Sequence, residues 1–159
     1  MNRDFVALIT SGIAKYLKIP NVEVVYQELG DNDIPAFYIP ECDIIHINLS
    51  ETKKLNHLEL TSILVHEMRH VYQAYQVRHA ESSVEDKELI KRWKYEFNNY
   101  KNPLKNKDAH INQYLEIDAV AFTAYFFKKE LGQNLIIPEI IYDQVQKRIK
   151  EIEIQNQRK

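Results

Sequence analysis

Apolar positions recur at helical spacing through the first 17 residues. Phe5, Leu8, Ile9, Ile13, Tyr16 and Leu17 fall on one face, and Pro20 ends the segment. The pattern then shortens. Val22–Gln27, Ala36–Ile39 and Asp43–Leu49 are brief runs rich in β-branched and aromatic residues, parted by Gly30, Asp31–Asp33, Pro35 and Pro40. They predict a small three-stranded sheet or meander. From Asn56 the period is helical again. Asn56 and Glu59 have capping-box spacing, and Leu60, Leu64, Met68, Val71 and Tyr75 form an apolar stripe. Ser82-Ser83-Val84-Glu85 reads as a second capping box, opening a helix toward Tyr100. Asn102–Pro103 and Lys105–Asp108 make a polar break. A helix is predicted from about Ala109 to Glu130, closed by Gly132. Pro138 suits the first turn of a last helix with Tyr142, Val145, Ile149 and Ile152 on one face. The expected fold class is therefore α+β. One domain spans residues 1–159, with a helix and small sheet over 1–54, a helical half over 55–154, and a fraying tail at 155–159.

Composition changes this picture little. Hydrophobic residues make up 45% and charged residues 28%, an ordinary globular balance, so a core of normal size can form. The net charge of -2 points to no polyanionic or polycationic partner. The single Cys42 cannot close an internal disulfide, which points to a reducing, cytoplasmic setting. Asp4, Thr10 and Ser11 break up the N-terminal apolar run, so it does not read as a signal peptide. No segment approaches 18 consecutive apolar residues, so no membrane span is expected.

The chemistry concentrates in Leu64-Val65-His66-Glu67-Met68-Arg69-His70-Val71-Tyr72, an HExxH pattern on a predicted helix. Residues four apart stand one turn above each other, so His66 and His70 project side by side. Two neutral imidazoles so placed can clamp one Zn²⁺ at about 2.0–2.1 Å each. Glu67 lies slightly to the side, where it can reach a water and not the metal. A catalytic zinc needs a third protein ligand and one open position, and the third is commonly a glutamate on a later helix. Tyr114-Leu115-Glu116-Ile117-Asp118-Ala119-Val120-Ala121-Phe122-Thr123 offers two acids in an otherwise apolar run. Glu116 and Asp118 point about 200° apart on a helix, so both cannot face one ion. Glu116 shares its face with the small residues Ala119, Val120 and Thr123 and is preferred. Asp118 is left as an outer supporting group or a plain surface or cap acid.

The run DIIHINLS, then LVHEMRHVYQ, then LEIDAVAFTAYF resembles a gluzincin-type metallopeptidase, closest to the compact ImmA/IrrE-like bacterial and phage group. Glu116, Ala119 and Phe122 match that group's Glu-x-x-Ala helix with an aromatic further on. The likeness covers about half the chain, Asp43 to Phe127. It implies a zincin-like fold, one zinc ion per chain, a peptide or protein substrate, and a regulatory protein as the natural target. It also implies that the strand Asp43–Leu49 is an edge strand along which substrate lies. Arg69 departs from the pattern, since many zincins carry an uncharged residue there. It is expected to face solvent or pair with an acid. Val77–Asn106 is longer than a minimal member needs and could form a lid or cleft wall.

Peptide hydrolysis also needs a donor for the tetrahedral oxyanion. His110, Tyr114, Tyr38 and Tyr72 are candidates, with His110 ranked first. Other residues have plainer readings. His46 is a half-exposed strand residue or a cleft-lining one; His57 is solvated; His79 lies in a turn. Cys42 reads as a packed small residue, Trp93 as a helix anchor, and Tyr95, Tyr100, Tyr125 and Tyr142 as helix packing. Lys87–Lys107 holds seven basic and two acidic side chains with interleaved aromatics, yet the slightly acidic whole favours a solvated face over nucleic acid. Two rival functions stand beside peptidase: a zinc hydrolase for another amide, and a non-catalytic zinc-binding sensor or interaction module. The intact Glu67 argues against the last. The Tyr142–Ile152 face is a possible dimer surface if it is not packed inside.

Overall fold

The computed structural model describes residues 3–158, which form an α+β arrangement of helices and one three-stranded mixed sheet. The chain divides into two compact units, one ending at Arg78 and the other beginning at His79.

The first unit opens with helix α1, Arg3–Leu17. Its buried face is Val6, Thr10, Ile13 and Ala14, while Leu8 and Tyr16 are exposed. The expected face is thus rotated. The reason is visible at Thr10, whose hydroxyl donates to the Val6 carbonyl one turn back, so this polar residue can be buried without loss. Strands β1 (Glu23–Gln27), β2 (Ala36–Ile39) and β3 (Ile44–Asn48) follow, within the predicted runs. Their order is β1-β3-β2, with β1 parallel and β2 antiparallel to β3. This is not a meander. β2 and β3 form a hairpin whose turn ends on Asp43 at φ 58°, a left-handed conformation that Asp tolerates. β1 pairs with the other side of β3, and the crossover 28–35 carries the chain from β1 to β2.

Asn48 holds that crossover. Its side-chain amide donates to the carbonyls of Gly30 and Ile34, and its Oδ1 accepts from Leu29 N–H and from Ser50 N–H. Glu51 adds acceptors for the amides of Asn32 and Asp33. β3 lies between the other two strands, paired over Ile44–Asn48 with β1 and over Ile44–Ile47 with β2, and is not an edge strand. The expectation that substrate pairs along it is overturned, because its N–H and C=O groups already have partners. Cys42, in the hairpin turn, is exposed and not packed.

A short helix α2 (Leu49–Thr52) leads to α3, His57–Arg78. The Asn56 capping box is present in full: Asn56 N–H donates to Glu59 at 2.8 Å, and Glu59 N–H donates to Asn56 Oδ1 at 2.9 Å. α3 packs against α1 and β2, burying Leu60, Leu64, Met68 and Val71.

The second unit contains α4 (Lys87–Asn98), α5 (Lys107–Ile111), α6 (Tyr114–Leu131), a 3₁₀ turn (Glu139–Ile141) and α7 (Tyr142–Gln157). Ser82–Glu85 does not cap α4. Asp86 does, accepting from Glu88 N–H and Leu89 N–H, while Ser83 accepts from Glu85 N–H in the turn before it. The helix expected from Ala109 is broken at Asn112–Gln113, so His110 sits on α5 and Glu116 on α6. Gly132 ends α6 at φ 65°, as its position predicted. α6 packs on α4 and α7 around Trp93, Phe122, Phe127 and Val145. Val145 and Ile152 are buried and Tyr142 is half-exposed, so the last helix turns its apolar face inward. α7 continues to Gln157, through most of the segment expected to fray.

Candidate metal centre

His66 and His70 are carried mid-helix on α3, where no end can fray. Their Nε2 atoms face each other at 3.1 Å, with the rings at 80°. Two nitrogens bound at about 2.0–2.1 Å to one tetrahedral ion would stand about 3.3 Å apart, so the pair is spaced for an ion. The tautomer of His70 is also set. Its Nδ1 lies 2.8 Å from Gln73 Oε1, one turn on, and a carbonyl oxygen accepts, so Nδ1 carries the hydrogen. That leaves the Nε2 lone pair for a metal, the usual arrangement of a ligating histidine with an outer partner. Gln73 is fully buried. The sequence reading missed it, although its spacing from His70 was available.

Glu67 is 8% exposed, in the same turn of α3. Of the two expectations for Arg69, facing solvent or pairing with an acid, the first is overturned. Arg69 is 4% exposed, with its guanidinium 4.4 Å from the Tyr72 ring centre. A planar cation stacked on an aromatic face keeps favourable electrostatics after leaving water.

Glu116 lies in the first turn of α6 and is 3% exposed. The Tyr100 hydroxyl donates to its Oε1 at 2.8 Å, and His110 Nε2 stands 3.6 Å from its Oε2. Tyr100 therefore does more than pack a helix. His110 is anchored at its other nitrogen, where Nδ1 donates to the Lys101 carbonyl at 3.0 Å.

His66, His70 and Glu116 each offer one ligand atom, and these atoms lie within 4.8 Å of one another, a set that could hold one metal ion. No family model, curated protein or solved structure matches this chain. The donor set must speak for itself. Two imidazoles and one carboxylate suit zinc and leave a position for water or substrate, though other divalent first-row ions accept the same donors.

Asp118 is tied to the last helix. It is fully buried, and Arg148 Nε donates to its Oδ1 at 2.7 Å. Arg148 also reaches Glu151 at 3.0 Å and stands 4.0 Å from Glu85. Burial pulls the Arg148 guanidinium down, and the Asp118 charge and hydrogen bond more than offset this, so it is raised above its ordinary value. The reading of Asp118 as a surface or cap acid is thus corrected: it anchors α7 to α6. Sequence inspection could not find this partner 30 residues away.

The remaining oxyanion candidates are engaged. Tyr114 lies under the Arg92 guanidinium and contacts Glu151, with its hydroxyl raised by burial. Tyr38 donates to Asp43 at 2.6 Å and is likewise raised by burial. Tyr72 is covered by Arg69. His46 stacks on Phe37 and contacts Gln27, and His57 stacks on Phe5. Tyr125 is buried, whereas Tyr95, Tyr100 and Tyr142 are substantially exposed, so helix packing accounts for only one of the four. No helix among the described residues is long and apolar enough to cross a membrane.

Proposed function

We propose that this chain is a zinc-dependent metallopeptidase, with His66, His70 and Glu116 as metal ligands and Glu67 as general base. The observation that carries the reading is the HExxH pair brought within 4.8 Å of a carboxylate from a later helix, with Glu67 adjacent to the first ligand. The element order, a small sheet followed by the HExxH helix and then a glutamate-bearing helix, is consistent with the zincin-like fold that the sequence resemblance implies.

When bound, zinc supplies Lewis acidity that polarises a carbonyl and makes water a nucleophile near neutral pH. The protein's own groups do the rest. Gln73 holds the His70 ring at Nδ1, so that Nε2 would be the atom to bind the ion. The Glu67 carboxylate takes a proton from the attacking water and delivers it to the nitrogen of the leaving amine. His110 is the candidate donor to the oxyanion. Its Nδ1 hydrogen is already given to Lys101, so this role requires a proton on Nε2 as well.

Glu67→Gln tests the reading. Zinc-loaded wild type is incubated with a mixed-sequence peptide library, and new termini are read by mass spectrometry. Wild type should generate new termini, and Glu67→Gln should lower their rate by about 10²–10⁴-fold with zinc content unchanged. Equal cleavage by both would remove Glu67 from the mechanism. Survival of a cellular phenotype in Glu67→Gln would mean the zinc site serves binding and not hydrolysis.

A further inference from the structure

The surroundings of Glu116 are more ordered than a metal ligand alone requires. A carboxylate has two oxygens, and either or both can meet an ion. Here Oε1 takes a 2.8 Å hydrogen bond from the Tyr100 hydroxyl. Tyr100 follows the end of α4 and is itself 46% exposed, so burial alone does not fix its position. The next residue does. Lys101 N–H donates to Gln113 Oε1 at 2.7 Å, and its carbonyl accepts from Gln113 Nε2 at 3.1 Å and from His110 Nδ1 at 3.0 Å. Gln113 is 5% exposed and immediately precedes α6, three residues before Glu116. The Lys101 peptide is thereby clamped to the start of the helix that bears the ligand. The His110 ring packs edge-on against Tyr100, with centroids 5.6 Å apart.

We infer that Tyr100 is a positioning residue for Glu116, held in register by Gln113, and that it directs the carboxylate to meet the metal through Oε2 alone. The inference rests on the metal reading above. A hydroxyl seated on Oε1 opposes rotation of the carboxylate into a two-oxygen grip, which would fill the open position that hydrolysis needs. It also lowers the entropy lost when the ligand is ordered at the ion. Outer partners of this kind are typically worth about 10–100-fold in metal affinity.

The test is zinc affinity by competition with a chromophoric chelator, on wild type, Tyr100→Phe and Gln113→Ala, with thermal unfolding of each metal-free protein alongside. Tyr100→Phe keeps the ring against His110 and deletes only the hydroxyl. It should weaken zinc about 10–100-fold while leaving metal-free unfolding unchanged. In the cobalt-substituted protein it should weaken the visible absorption bands, as a second carboxylate oxygen raises the coordination number. Gln113→Ala should lose affinity in the same direction. Wild-type zinc affinity in Tyr100→Phe would overturn the inference and leave the metal reading standing, as would affinity lost only in Gln113→Ala. Affinity lost together with metal-free stability would assign Tyr100 a structural role instead. A wild type that binds no zinc would overturn both.

Discussion

Single side chains decide the candidate site. His66, Glu67 and His70 were legible because HExxH is a local pattern whose geometry follows from one helix turn. Glu116 was legible as an acid in an apolar run. Gln73 and Gln113 were not singled out and Tyr100 was read as helix packing, because their roles depend on hydrogen bonds that residue type alone does not announce. Gln73→Ala removes the acceptor for His70 Nδ1–H and frees the ring to turn. It should weaken zinc about 10–100-fold, measured by chelator competition, with helicity unchanged. Asp118 marks the limit of reading acids from sequence, since its meaning lies with Arg148 on another helix. Replacing Arg148 with Met leaves a buried carboxylate without its cation. The expected loss is about 3–5 kcal/mol in urea unfolding. A loss below about 1 kcal/mol, the scale of an exposed pair, would show that the Asp118 charge is compensated in another way.

Secondary elements were legible where the signal is local. Three strands, α1, α3 and the Gly132 stop fall close to their predicted places. The Asn56 box was read correctly because both partners lie within four residues. Asn56→Ala should cost about 1 kcal/mol, seen as a lower midpoint in thermal unfolding. The break before α6 was missed for a physical reason. Gln113 makes no side-chain cap there, and the first amides of α6 instead donate to Glu96 on α4: Tyr114 N–H at 3.0 Å and Leu115 N–H at 2.8 Å. A cap supplied from another helix leaves no local trace. Strand order escaped for a similar reason, since Asn48 and Glu51 tie down a crossover that strand patterning does not encode. With β3 paired on both sides, any peptide that adds by main-chain pairing must use the outer edge of β1 or β2.

At the scale of the whole molecule, metal binding couples to stability. The three candidate ligands come from positions 66, 70 and 116 of a 159-residue chain, and the unfolded chain does not hold them together. Zinc at about 100 times its dissociation constant should add about 2.7 kcal/mol. For a chain of this length that is a rise of about 5–10 °C in the unfolding midpoint, reversed by chelator. The most direct test of the central claim is zinc content by elemental analysis after purification without chelator, on wild type and on His66→Ala, Glu116→Ala and Asp118→Asn. The account predicts near-stoichiometric zinc in wild type, its loss in the first two variants, and its retention in folded Asp118→Asn. A wild type without zinc even after reconstitution, or a Glu116→Ala variant that keeps it, would contradict the account.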